Sequence, residues 1–143
     1  MTRRAAREEA FKIIFQVDLG RSSWKEILSH NLDDLNLSES SRLFLRQLVE
    51  GTITHLTEID AEIAKYALDW KLERMLSTDR NILRMAVYEL KFRNDIPAGV
   101  AVNEAVELAK VYGDEESGKF VNGILGNIVR DLEGNDLVHK EDP

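Results

Sequence analysis

Ser77-Thr-Asp-Arg-Asn-Ile-Leu-Arg-Met-Ala-Val-Tyr-Glu-Leu90, Asn103-Glu-Ala-Val-Glu-Leu-Ala-Lys110 and Ser117-Gly-Lys-Phe-Val-Asn-Gly-Ile-Leu125 each repeat apolar residues at helical spacing. In the first, Ile82, Leu83, Ala86, Val87 and Leu90 share one face, the pattern of an amphipathic helix buried on one side. In the last, Phe120, Val121, Ile124, Leu125, Ile128 and Val129 fill an apolar arc. Lys119, Asn122, Gly123, Gly126, Asn127 and Arg130 lie opposite.

The same period runs outward almost to both ends. Helices are expected over about 3–19, 24–35, 39–55, a fresh turn from Thr57 or Asp60 through Tyr66, then 78–93, 100–112 and 115–132. The second of these carries Leu35 at its end, and Leu43, Phe44, Leu48, Val49 and Ile53 mark the inner side of the third. Ser38, Ser77 or Thr78, and Asp114 are the expected N-caps, and Gly20 a C-cap. Strand signals are nearly absent, and the only prolines are Pro97 and Pro143. The reading is an all-α chain of about seven helices with short connections, so that neighbours pack antiparallel as in a bundle.

A chain of 143 residues with 43% hydrophobic and 31% charged residues fits one globular domain, here residues 1–133. Residues 134–143 read as an acidic, mobile tail after a Gly134-Asn135-Asp136 break. No apolar run has the length of a membrane span, and nothing at the start resembles a signal peptide. The absence of Cys makes the cytoplasm the default location. The net charge of −7 argues against a nucleic-acid partner, but the charge is uneven. Residues 1–7 carry Arg3, Arg4 and Arg7 and no acid. A local patch acts on phosphates within about a Debye length, whatever the total.

Three cations at a helix N-terminus oppose the helix dipole, so they gain little from helix formation and are free to serve something outside it. Arg7 falls in line with Ala10 and Ile14, which sets Arg3 and Arg7 along the rim of the bundle; the plain alternative is a solvated tail. Gly123 and Gly126 imply a close approach to their face, either by a neighbouring helix or by something external. Phe120, at the edge of its arc, is either core or a platform for a base. Arg80, Arg84 and Lys91 form a stripe with Tyr88 beside it, a solvated face or a docking surface for a protein. Glu89, inside the apolar arc, is expected to pair with Arg93. His30, His55 and His139 lack metal-ligand spacing, and no catalytic motif occurs, so neither an enzyme nor a cofactor is expected.

Arg3-Arg-Ala-Ala-Arg7, Phe15-Gln16, Asp79-Arg80, Leu83-Arg84, Tyr88-Glu-Leu90, Asn103-Glu-Ala105 and Glu116-Ser-Gly-Lys-Phe-Val-Asn-Gly-Ile-Leu125 occur in one order over nearly the whole chain. As an ordered set they closely resemble the NusB family of transcription antitermination factors. The resemblance implies two small helical bundles packed together. It also implies binding of single-stranded boxA RNA with the ribosomal protein NusE, in a complex that acts on RNA polymerase with other antitermination factors, notably on ribosomal RNA operons. Arg3, Arg4 and Arg7 then contact the RNA backbone, and Lys119, Phe120 and Asn122 lie near the RNA. Asp79, Arg80 and Arg84, with Tyr88 beside them, lie at or next to the protein-partner surface. Gly126 departs from the family pattern, where an acid is expected. The family includes monomers and homodimers. Four cationic contacts to single-stranded RNA imply a salt slope of about −3, at roughly −0.7 per contact. Two alternatives remain: a NusB-like domain of a ribosomal RNA cytosine methyltransferase, and a helical scaffold that binds only proteins.

Overall fold

In the computed structural model, residues 2–20, 23–32, 36–69 and 71–141 are described, with side chains as far as Gly134. Seven α-helices and one 3-10 turn occur among them, and no strand. In order, these are α1 (Arg3–Asp18), α2 (Trp24–Leu32), α3 (Glu39–Thr54), α4 (Leu56–Ala64), the turn Leu72–Arg74, α5 (Ser77–Phe92), α6 (Ala98–Tyr112) and α7 (Ser117–Glu141). None is long and apolar enough to cross a membrane. Leu35, expected at the end of the second helix, lies outside the described residues.

Helices α1, α2 and α3 pack on one another, while α6 and α7 pack together against α5. Helix α5 belongs to both groups, touching α1 and α3 on one side and α4, α6 and α7 on the other. That is the two-bundle arrangement, with one continuous apolar core. Ile13, Leu45 and Leu48 fill it on the first side, Leu125 and Ile128 on the second, and Ile82, Leu83 and Met85 of α5 join the two. Burial of such side chains is worth about 1.5–3 kcal/mol each before entropy is charged against it.

Local signals explain most boundaries. Thr2 accepts the N–H of Ala5, and Ser38 the N–H of Ser41, each satisfying one orphan donor of its helix. Gly20 closes α1 in the left-handed region at φ 74°, where a side chain is disfavoured. Three expectations are corrected. Leu43 is 57% exposed, and Leu45, two residues on, takes the core position because it continues the row of Ser41, Phe44, Leu48 and Val49. Neither Ser77 nor Thr78 caps α5; the capping position is Leu76, and the Ser77 hydroxyl instead meets Arg80. Helix α7 begins at Ser117, with Asp114 bonding the Glu116 N–H, and it runs through Gly134-Asn135-Asp136 to Glu141. No proline interrupts it there, and one glycine costs a helix only about 1 kcal/mol. The side chains of Asp136, Lys140 and Glu141, and all of Asp142 and Pro143, are outside the described residues.

A polar joint ties the two groups of helices. Asp18, at the end of α1, accepts from Arg80, Asn81 and Arg84 of α5. Arg84 also forks onto Asp60 of α4 at 2.8 and 2.9 Å. Burial pushes the Asp18 carboxyl up, but its hydrogen bonds with Arg80, Asn81 and Arg84 outweigh that and hold it below the usual carboxylate range.

Candidate nucleic-acid interface

The arginines at the start of α1 sit in three different settings. Arg4 stays 64% exposed yet forks onto Glu104 of α6, with contacts of 3.0–3.3 Å. Arg3 is exposed, and its guanidinium lies 4.5 Å from the centre of the Phe44 ring on α3. Arg7 and Arg93 lie 5.2 and 5.4 Å from the same ring, so one aromatic gathers three cations. Arg7 is 4% exposed and bonds Glu89 at 2.8 Å. Arg7 is therefore not on the rim, as expected from the sequence, but inside, because a buried carboxylate on α5 demands a cation. The expected Glu89–Arg93 pair is replaced by this one, and Arg93 instead forks onto Asp95 and donates to Gln47. Burial pushes the Glu89 carboxyl up, and Arg7 only partly offsets it. The Arg93 fork lowers Asp95 to about 2.

The α5 residues expected at the partner surface are largely committed inside the molecule. Arg80 and Arg84 serve the Asp18 joint, with Arg84 itself buried. Tyr88 is buried, and its ring occupies the space where a Cβ on Gly51 would stand. Lys91 reaches Glu58 and Glu62 of α4. Asp79 is 6% exposed and lies elsewhere from Tyr88, in the wall of a cleft with Lys119 and Phe120. The stripe read as a charged face is thus mostly an internal ion network, which helical spacing alone does not distinguish from a solvated one.

On α7, Lys119 and Asn122 are exposed and Phe120 is half-buried. Phe120 packs against the core by one side and opens by the other on the cleft, of about 560 Å³, between the starts of α5 and α7. A turn further along α7, Asn122 and Gly126 face Asn103 of α6 across a groove of about 410 Å³. A Cβ on Gly123 or Gly126 would meet nothing within 4 Å, so no helix among the described residues requires those glycines.

Helix α6 connects the two expected RNA-contacting groups. Asn103 faces Asn122 of α7, and the next residue, Glu104, holds Arg4 of α1. Polar groups thus run from the exposed Arg3 and Arg4, over the half-buried Glu104 and the exposed Asn103, to the exposed Asn122 and Lys119. The strip passes across α6 because α1 and α6 meet through long side chains, including Tyr112 on Glu8. Glu104 and Asn103 were unassigned in the sequence, although both stand in a quoted motif; the signal was a polar pair on the rim of an otherwise apolar helix face.

The NusB family model matches residues 4–130. A transcription antitermination protein NusB from Pelotomaculum thermopropionicum is 51% identical over 135 residues, 93% of this chain and 92% of that protein. A solved T. maritima NusB superposes with a TM-score of 0.86 at 41% identity, covering 91% of this chain and 92% of that one. A crystal structure of antitermination factors NusB and NusE in complex with dsRNA superposes with a TM-score of 0.82 at 32% identity, covering 90% and 96%. With a match across both bundles and over the polar strip from Arg4 to Asn122, this chain belongs to the NusB family.

Proposed function

We propose that the chain is a cytoplasmic transcription antitermination factor that binds single-stranded boxA RNA together with the ribosomal protein NusE. The complex helps RNA polymerase to resist termination on ribosomal RNA operons. Support comes from the relatives' shared designation and from a similar structure of NusB with NusE and RNA. The observation that carries it is the polar strip from Arg3 and Arg4 to Lys119 and Asn122, joined by the Arg4–Glu104 pair and by Asn103 beside Asn122. The work is positioning and not catalysis. Arg3, Arg4 and Lys119 hold the backbone, while Phe120 and Asn122 meet bases by stacking and hydrogen bonding. Arg7 contributes by fixing α1 through Glu89, and Arg80, Arg84 and Tyr88 by setting the shape of α5 under the protein partner.

Fluorescence anisotropy with labelled boxA RNA and a scrambled control, with and without purified NusE, tests this reading. Salt-sensitive binding that prefers boxA and tightens with NusE is the expected result. Binding of NusE without RNA discrimination in any mixture overturns the RNA half and leaves a protein scaffold.

A further inference from the structure

The cleft between the starts of α5 and α7 holds a group that backbone contacts do not explain. Asp79 lies in its wall, 6% exposed, and its Oδ1 has no hydrogen-bond partner among the described residues. The cause is a shortage of donors. The Ser117 hydroxyl accepts from the Asp114 N–H at 2.9 Å and has one proton to give. Asp114 Oδ1 takes it at 3.1 Å, with Asp79 the competitor. Burial pushes the Asp79 carboxyl up; the nearby Ser117 hydroxyl, its proton shared with Asp114, offsets only part of this, and Asp114 adds to it. A buried acceptor left without a donor is costly, and its retention marks a place where a donor arrives.

The rest of the cleft describes that donor. Met75, Leu76 and one side of Phe120 make apolar walls, with Leu76 46% exposed at the mouth. Asp114 and Glu116 repel a phosphate from the interior, whereas Lys119 attracts one at the edge. A strand whose backbone passes Lys119 therefore enters base first. The lining sets Asp79, Asp114 and Glu116 against Arg74 and Lys119, so a cationic protein side chain is the competing occupant.

We propose that this cleft takes one unstacked cytosine or adenine, its exocyclic amine donating to the Asp79 carboxylate and the ring lying against Phe120. The assignment rests on the RNA-binding reading above. Cytosine and adenine offer such an amine; uracil offers a carbonyl in its place, which a carboxylate rejects.

The test is anisotropy on wild type and Asp79→Asn with a short boxA RNA. In a set of variants of that RNA, each cytosine in turn becomes uracil and each adenine inosine, both exchanges turning an amine into a carbonyl. One position is expected to cost the wild type about tenfold in affinity. The same exchange is expected to cost Asp79→Asn less than about twofold, because an amide can turn its NH₂ towards the carbonyl. Lys119→Ala is expected to weaken every RNA by one common factor. Thermal melting verifies that Asp79→Asn is folded, and Asp79→Ser replaces it otherwise. If no position couples to Asp79 while the wild type binds RNA, the base assignment falls and the RNA reading stands. If Asp79→Asn loses NusE but keeps every RNA preference, the cleft serves a protein and the assignment also falls. If the wild type binds none of the RNAs, the RNA reading itself is overturned.

Discussion

Of three arginines in the first seven residues, only Arg7 is structural, and its substitution separates that role from RNA contact. Arg7→Ala leaves Glu89 without its cation in the core, so a loss of about 3–5 kcal/mol is expected in urea unfolding. Arg3→Ala removes an exposed cation–π contact worth about 0.5–1 kcal/mol. Replacing Arg7 and Glu89 together by methionine should recover most of the loss, because no charge then remains unpaired. Asp79→Asn has the opposite sign. Since the folded-state carboxyl of Asp79 is raised, wild-type stability from this group is present at low pH and is lost as pH rises through that value. The variant's melting temperature should therefore exceed wild type most at neutral pH, with the gain shrinking as pH falls. The line that Arg7 shares with Ala10 and Ile14 put it on the rim in the sequence, whereas the structure carries it inside. The sequence did not show the partner, because Glu89 is 82 positions away and no local rule connects them.

Among the elements, α7 tests what its glycines are for. A Cβ at Gly126 meets nothing, so Gly126→Ala should stabilise the helix by about 0.5–1 kcal/mol, read as a higher melting temperature. If RNA or a protein approaches that face, the same variant loses affinity while gaining stability. Gly51→Ala should do the reverse, because its Cβ would enter the Tyr88 ring and force α3 and α5 apart. From the sequence, close approach by a neighbouring helix and by something external were equally open for Gly123 and Gly126. The open space around both removes the first. Helical period placed the inner face of α5 correctly, since every residue in that arc but Glu89 is apolar. On α3 the expectation of Leu43 missed Leu45, although it is Leu45 that continues the row of Ser41, Phe44, Leu48 and Val49.

For the whole molecule, the withdrawal of Arg7 into the core changes the electrostatics of binding. Of the four cations expected to meet RNA, Arg3, Arg4 and Lys119 remain on the surface, so the salt slope for single-stranded RNA should be about −2 and not −3. Anisotropy across a potassium chloride series measures it, and a slope near −3 would require another cation to reach the RNA. Arg4 must also leave Glu104 to meet a phosphate, so Glu104→Gln is expected to tighten RNA binding by a few-fold. The all-helical class was readable from spacing alone. The division into two groups came from the resemblance, since what separates and rejoins them is the Asp18 joint, built from residues more than sixty positions apart.

That joint also determines how such a chain can change over generations. The apolar core accepts single exchanges of similar volume, one residue at a time. Asp18 answers to two arginines and an asparagine at once, and Arg84 to two aspartates. Losing any one member strands the others, so substitutions there survive only in compensating sets. Lineages of this fold should inherit positions 18, 60, 80, 81 and 84 as a single unit, while the leucines around them drift independently.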